Sequence, residues 1–532
     1  MVNMTNETKL LSIEGASAWA SEYLGCKVTS SNIAYLIQYG RVNKHVTNGK
    51  VFVDITDLQD YYNANNRTKE LEWKKRLGED LIWELSFDDL KESERTKHVH
   101  RLHPYKGKFI PQLVEYFIDE HTDEHKREVY FNKGGILLDP FCGSGTTLVQ
   151  ANELGINAIG IDVSDFNTLI SNVKVSKYIL VDLYNEARKI NQLLKQHAYD
   201  NGIVSFENEL GEELSKYNDN YFPAPEYRYK VRRGEINEVE YGAEKEAQFN
   251  SVFTSLIEKH GIKIGQTKPS AFIDKWYVEN IRQEIEIAYA HICSIDDENI
   301  SNALKVILSR TIRSCRATTH FDLATLKEPV FYTYYCHKHG KICKPLFSIT
   351  NWWPRYFRDT IGRLAQYDKL RTDTYQLCLT GDARTINILE KLAKTNPTLA
   401  SLVANKKIDG IFSSPPYVGL IDYHEQHAYA YELFNMARND EYEIGPLSNG
   451  QGARARAEYV KSISEVLKNC RKYLKPDFNV FLVANDKYDL YPEISKKSGM
   501  KIVNRYKRPV LNRTERDKGA YSETIFHLKD ED

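Results

Sequence analysis

The sequence predicts an α/β fold in which a parallel sheet, covered by helices on both faces, is split by a long and mostly helical insertion. Three stretches carry that prediction. Residues 134–164, "GGILLDPFCGSGTTLVQANELGINAIGIDVS", read as a buried strand, a glycine turn, a helix and a second strand, which is a βαβ unit. From residue 374 the same alternation returns in "TYQLCLTGDA", "KIDGIFSSPPY" and "FNVFLVANDK", and "KIVNRYKRPV" with "YSETIFHLK" makes a closing hairpin. Between the two lie helical blocks such as "LYNEARKINQLLKQHA" and "KWYVENIRQEIEIAYAHI".

At 532 residues the chain has room for about three domains. Its 72 Lys and Arg balance 73 Asp and Glu, so any basic surface for a polyanion must be local. The eight cysteines form no paired framework, which suits a reducing compartment. The polar start "MVNMTNETKLL" lacks the apolar core of a signal peptide, and no run of eighteen apolar residues occurs. A soluble, cytoplasmic protein with no membrane partner is expected. Most of the 35 tyrosines and 21 phenylalanines are expected to pack, with a few available to stack on bases.

Taken in order, residues 1–65 form a small unit. "SIEGASAWASEYLG" and "TSSNIAYLIQYG" are two helices joined by a turn, and "KVFVDITDLQDYY" supplies a strand and a third helix capped by Asp54 or Thr56. The pattern resembles an excisionase-like or MerR-like winged helix, with "TSSNIAYLIQYGRV" as the candidate recognition helix; a protein-contact role fits it equally. Residues 66–97 are a charged linker helix. The sheet domain takes residues 98–184 and 371–532. Residues 185–370 are the insertion and a candidate target-recognition domain.

The strongest chemical signal is "LLDPFCGSGTT", Leu137 to Thr147. Gly143 and Gly145 let the backbone turn and approach a ligand closely, and the helix that follows offers free N–H groups. Asp162 ends the next strand, where a carboxylate can accept from ribose hydroxyls. A triphosphate loop would need Lys after its last glycine, and here Thr146 follows Gly145. A dinucleotide fingerprint would need a third glycine, which is missing. Asp139 at the first strand end would repel a pyrophosphate and welcome a cationic ligand.

The second signal is "SSPPY", Ser413 to Tyr417, directly after an apolar strand. Consecutive prolines end the sheet ladder and leave bare carbonyls. The chain is therefore similar to the amino-methylating DNA methyltransferases of restriction–modification systems. That resemblance implies a class I S-adenosylmethionine-dependent methyltransferase fold, with a Rossmann-like sheet. It implies that Asp139, Phe141, Gly143, Ser144, Gly145, Thr146 and Thr147 contact the methionine part of S-adenosylmethionine. His103, Tyr105, Lys108 and Phe109, in "HPYKGKFIPQLVEYFI", lie near the cofactor, and Asp382, in "LTGDA", meets its adenine amino group. Ser414, Pro415, Pro416 and Tyr417 match the catalytic tetrapeptide.

An aromatic exocyclic amine is a poor nucleophile because its lone pair is delocalised, so a catalyst must accept its N–H bonds. Ser414 Oγ and the Pro415 carbonyl, held extended by Pro416, are suitable acceptors. Tyr417 would stack on a base turned out of the duplex. The chemistry needs no metal. Serine rather than a carboxylate favours cytosine N4, because in the resembled family this tetrapeptide usually goes with cytosine. Adenine N6 and an RNA guanine amino group are the enzymatic alternatives, and a transcription regulator with a degenerate methylase fold is the non-enzymatic one. The partners implied are double-stranded DNA and a cognate restriction endonuclease.

Three further groups stand out. Arg310, Arg313 and Arg316 lie at helical spacing and could line a phosphate or guanine contact, but a solvated helix face is the expected outcome. Cys336, His339 and Cys343 could hold zinc with Cys315 or His337 as fourth ligand, but the spacing is irregular and packing cysteines are expected. His424, His427, Arg454 and Arg456 follow the proline bend, in either a DNA-contacting lid or an ordinary loop.

Overall fold

A computed structural model describes residues 10–24, 28–38, 41–47, 50–66, 68–88, 90–105, 107–265, 271–320, 326–346, 348–511 and 519–531. The polar start, the last two residues of the "TSSNIAYLIQYG" helix and residues 321–325 lie outside them.

At the N-terminus, β1 (Leu10–Ser12), β2 (His45–Thr47) and β3 (Lys50–Asp54) form an antiparallel sheet with β3 in the middle. The helices Ile13–Leu24 and Ser30–Gln38 pack on it through Ala16, Ala20, Ile33, Leu36 and Ile37. The apolar spacing of the second helix turns Ile33, Leu36 and Ile37 inward and leaves Ser31, Asn32 and Tyr35 outward. Asp54 accepts from the Thr56 N–H at 2.9 Å and starts the third helix, Ile55–Asn66.

The main sheet has seven strands. β4 (Ile136–Asp139) and β5 (Asn157–Asp162) flank the glycine loop. After the insertion, which carries the small hairpin β6 (Tyr334–Cys336) and β7 (Lys341–Cys343), come β8 (Gln376–Thr380), β9 (Ile408–Ser413), β10 (Leu474–Ala484), β11 (Met500–Pro509) and β12 (Ser522–Asp530). The spatial order is β11-β12-β10-β9-β4-β5-β8, and β12 runs antiparallel to both of its neighbours. Reading from β8, the five parallel strands follow the Rossmann-like order 3-2-1-4-5. The central strands are continuous apolar runs because both faces are covered. One face carries Leu137, Phe412 and Phe481, and the other Leu138, Ile411 and Leu482.

The topology fixes where a ligand can sit. In open parallel sheets ligands bind beyond the carboxyl ends of the strands, where the strand order reverses. Here that point falls between β4 and β9, which pair Leu138 with Ile411. The insertion leaves the sheet after β5 and returns before β8. Its long helices, among them Leu180–Asp200, Glu279–Cys293, Glu298–Arg313 and Trp353–Asp368, share one hydrophobic core with the sheet face. Trp353 is fully buried there and donates its indole N–H to the Ala187 carbonyl at 2.9 Å. The block is thus continuous with the core on that face of the sheet.

Candidate active site

The glycine loop runs from the end of β4 into the helix Thr146–Glu153. Gly143 has φ 51° and Gly145 φ 75°, a region that side chains disfavour. A Cβ on Gly145 would lie 2.9 Å from Ser171 Oγ, and one on Gly143 would lie 3.0 Å from the Tyr105 hydroxyl. Around the loop, Ser171 donates to the Gly143 carbonyl at 3.0 Å, and buried Lys174 donates to the Ser144 carbonyl. Burial pushes the Lys174 ammonium well below its usual range.

The loop opens onto a cleft with about 840 Å³ of empty space, its mouth included. Tyr105, Lys108 and Phe109 form one wall, and Phe141, Gly143, Ser144 and Thr146 form the floor. Asp162 and Asp382 stand at the ends of β5 and β8, and Ser414 and Pro416 reach in from the end of β9. The glycine loop and the proline bend therefore meet at one cavity. The sequence-predicted residues outside the lining are His103, Asp139, Gly145, Thr147, Pro415 and Tyr417.

Two of these correct the sequence reading. Asp139 does not face the ligand space. It is 1% exposed, accepts from Ser413 Oγ at 2.5 Å and from the Phe141 N–H at 3.2 Å, and its carboxyl is pushed up to about 6 by burial, against the hydrogen bonds from Ser413 and Phe141. It clasps β4 to β9. His103 is also buried; its Nδ1 lies 2.9 Å from the Pro104 carbonyl and its Nε2 3.2 Å from the Tyr429 hydroxyl, and burial drives its pKa down. Both residues hold the site from behind.

Asp162 remains at the cleft. Its carboxylate accepts from the N–H groups of Gly143 at 2.8 Å and Ser164 at 2.9 Å and from Asn167 at 3.0 Å, while burial pushes its carboxyl up to about 6. Asp382 is gripped by its own neighbour Arg384 at 2.9 Å. Lys108 donates to the His100 carbonyl at 2.7 Å, and burial pulls its ammonium down to about 8. Ser144 Oγ is buried at the cleft floor without a hydrogen-bond partner among the described residues. Such an atom is costly unless a ligand or water completes it, so the loop fits a polar cofactor.

The proline bend is held by long-range contacts. Ser414 Oγ donates to the Val483 carbonyl at 3.1 Å. Tyr417 donates to Glu523 at 2.7 Å, and Arg508 binds the other Glu523 oxygen at 3.2 Å. Tyr417 lines a wider groove that joins the cleft at Gly107 and Lys108. Arg313 and Arg316 also line that groove, so they are not on a solvated face. Arg310 is buried too, paired with Asp359 at 2.6 Å.

The stretch after Tyr417 is not a plain loop. Tyr423 stacks on Tyr105 at 5.8 Å between centroids, and Glu443 holds the Tyr423 N–H at 2.7 Å and lies 3.3 Å from His424 Nδ1. Tyr423, His424 and Glu443 close one side of the cleft. His427 is buried, so neither histidine is available as an exposed clamp, whereas Arg454 is exposed and Arg456 covers the Tyr488 ring at 4.7 Å. Asn167 and Glu443 were missed from sequence: both are single polar residues outside any motif, identified only by the acceptors and donors they meet in space.

A Rossmann-like sheet whose glycine loop and Ser-Pro-Pro-Tyr bend open into one cleft defines a class I methyltransferase. The DNA methylase family N6_N4_Mtase matches residues 35–172. Over 98% of both chains the sequence is 47% identical to the type II methyltransferase M.MjaII of Methanocaldococcus jannaschii. It is 32% identical to the type II methyltransferase M.BsoBI of Geobacillus stearothermophilus over 19% of each chain. It is also 34% identical to a probable tRNA (guanine(10)-N2)-dimethyltransferase of Methanothermococcus thermolithotrophicus, over 20% of this chain and 60% of that one. The chain belongs to the amino-methylating DNA methyltransferases of restriction–modification type. Among the described residues no helix is long and apolar enough to cross a membrane.

Proposed function

We propose that this enzyme methylates the exocyclic N4 amino group of cytosine in duplex DNA with S-adenosylmethionine as donor, and so protects a target sequence from a cognate restriction endonuclease in the cytoplasm. One observation carries the reading: Ser414 of the proline bend and Gly143 and Ser144 of the glycine loop line the same cleft. Family membership supports a DNA amino group as the target, and serine at the first tetrapeptide position supports cytosine.

When bound, S-adenosylmethionine supplies an electrophilic methyl group on a positively charged sulfur. Ser144 and the free N–H groups opening the helix Thr146–Glu153 would hold its methionine part, Asp162 its ribose and Asp382 its adenine amino group. Ser414 spends its proton on Val483, which leaves its oxygen lone pairs for an incoming N–H. The Pro415 carbonyl accepts the second N–H, and Pro416 has no N–H to compete for it. Accepting both bonds returns electron density to the amine nitrogen. Tyr417, tethered by its hydroxyl to Glu523, keeps its ring face for stacking on an everted base.

The groove beside Tyr417 suits the DNA backbone. Its four acids are engaged: Asp422 by the Ser448 N–H, Glu432 by the N–H groups of Phe272 and Ile273, Glu425 by Arg438 and Glu523 by Tyr417. Arg313 has no ion-pair partner among the described residues, and six basic side chains, Lys108, Lys275, Arg313, Arg316, Lys327 and Arg438, against those four acids leave the groove locally cationic. Sequence reading would fall to the insertion, the N-terminal winged unit or the stretch after Tyr417.

The test is incubation of the purified chain with tritiated S-adenosylmethionine and duplex DNA, followed by nucleoside mass spectrometry. N4-methyldeoxycytidine is the expected product. N6-methyldeoxyadenosine would move the target to adenine, and label entering only RNA, as the tRNA-methyltransferase likeness would have it, would overturn the reading.

A further inference from the structure

The insertion carries a second cluster, remote in role from the cleft. His320, Cys336, His339 and Cys343 each offer one ligand atom, and the four atoms lie within 4.8 Å of one another. Three come from the hairpin. Cys336 ends β6 and Cys343 ends β7, and the turn between them, "CHKHG", doubles back tightly. The N–H groups of His339 and Gly340 both donate to the Cys336 carbonyl, at 3.1 and 2.6 Å, with Gly340 at φ 64°. That turn brings His339 Nδ1 to 3.6 Å from Cys336 Sγ and 3.5 Å from Cys343 Sγ. The fourth member, His320, lies sixteen residues before Cys336 in the chain, and its Nδ1 is 3.9 Å from that sulfur.

These separations match a metal tetrahedron. With Zn–S bonds of about 2.3 Å and Zn–N bonds of about 2.0 Å, a tetrahedral ion has sulfur-to-nitrogen edges of about 3.5 Å. Packing alone does not explain the convergence, since two imidazole nitrogens directed at two sulfurs gain little in an apolar contact. Cys336 and Cys343 are 3% and 9% exposed, too enclosed for a nucleophile that must meet a substrate. Cys315 and His337, the fourth ligands weighed from the sequence, are not members of the cluster. The chain reaches back instead to a histidine that no short spacing pattern includes.

We propose that His320, Cys336, His339 and Cys343 bind one zinc ion in a closed tetrahedral structural site that ties the β6–β7 hairpin to the segment following the helix Glu298–Arg313. Binding releases the two thiol protons to solvent, so two thiolates and two neutral imidazoles surround the dication and the centre is neutral. The Tyr334 hydroxyl, 2.6 Å from His320 Nδ1, either yields that nitrogen to the ion or, with Nε2 as ligand, becomes the outer partner that fixes the tautomer. The tie matters for the groove, because the segment it anchors leaves the helix directly after Arg313 and carries Arg316, and both line the groove. Outer contacts already brace the hairpin: Asn218 bonds both the N–H and the carbonyl of Ile342, and Glu246 accepts from the Tyr335 N–H at 2.8 Å.

The experiment is metal analysis of the full chain purified without chelator, with cobalt substitution of the same protein. About one zinc per chain is expected, along with the strong visible bands of tetrahedral cobalt and thiolate-to-cobalt charge transfer in the near ultraviolet. Cys336→Ser with Cys343→Ser should lose at least tenfold of the bound zinc, while Cys293→Ser, at an exposed position elsewhere, keeps it. The wild-type cobalt spectrum stands whether or not the double variant folds. A weak octahedral spectrum, a Cys336–Cys343 disulfide in the mass spectrum, or equal zinc loss in Cys293→Ser would overturn the site.

Discussion

Replacing Asp139 by asparagine separates a structural clasp from a ligand contact. The carboxyl is pushed from an ordinary 3.8 up to about 6 by burial, even with its hydrogen bonds in place. A rise of that size corresponds to about 3 kcal/mol. Because the folded pKa lies above the unfolded one, the folded state holds the proton more tightly, and this residue's contribution to stability declines as pH rises from about 4 to about 6 and is flat beyond. Asp139→Asn keeps the Oδ1 acceptor for Ser413 and Phe141 and offers its NH2 to the Thr147 hydroxyl, which can turn to accept. Its stability gain over wild type should approach a ceiling of about 3 kcal/mol at pH 8 and fall to about half of that at pH 5. The assay is the melting midpoint of both proteins at the two pH values, where about 1–2 °C per kcal/mol is expected for a chain of this length. Affinity for S-adenosylmethionine, measured by calorimetry, should change only a few-fold. An offset independent of pH, or a net loss of stability at pH 8, would refute the burial argument; collapse of cofactor binding would refute the assignment to structure.

Three more outcomes follow from the same geometry. Ser414→Ala should lower the methyl-transfer rate by about 10²–10³-fold, as loss of one preorganised polar contact does, and leave cofactor affinity within about twofold; single-turnover rates and calorimetry read the two separately. Gly145→Ala places a Cβ 2.9 Å from Ser171 Oγ at φ 75°, and should cost about 1–3 kcal/mol of stability in thermal melts while weakening cofactor binding. Arg313→Ala should weaken DNA binding equally across sequences and reduce the salt dependence of the binding constant by about one unit of slope, as removal of one phosphate contact does.

Much of the catalytic half was legible in the chain because its signals are short-range. A glycine pair after an apolar strand, and two prolines after another, each constrain the backbone within a few residues, and so they can be read without a fold. The inner hydrophobic runs of β4, β5, β9 and β10 announced strands covered on both faces in the same way. The arginines at positions 310, 313 and 316 were misjudged for the complementary reason. Helical spacing gives the direction of a face but not what covers it: Asp359 and Tyr356 arrive from elsewhere to receive Arg310, Tyr429 receives Arg316, and Arg313 opens onto the groove.

What the sequence determined by itself is the pair of strand ends that meet at the cleft, since torsional restriction and missing N–H groups act locally. Only the tertiary structure decided that β4 and β9 lie side by side although 268 residues separate Asp139 from the start of β9 at Ile408, that Asp139 turns inward to Ser413, and that His320 completes the group formed by Cys336, His339 and Cys343. The first two adjacencies are fixed by burying the two faces of one sheet, a balance summed over the whole core, and the third by the fold of the separate β6–β7 hairpin; no window of neighbouring residues contains either.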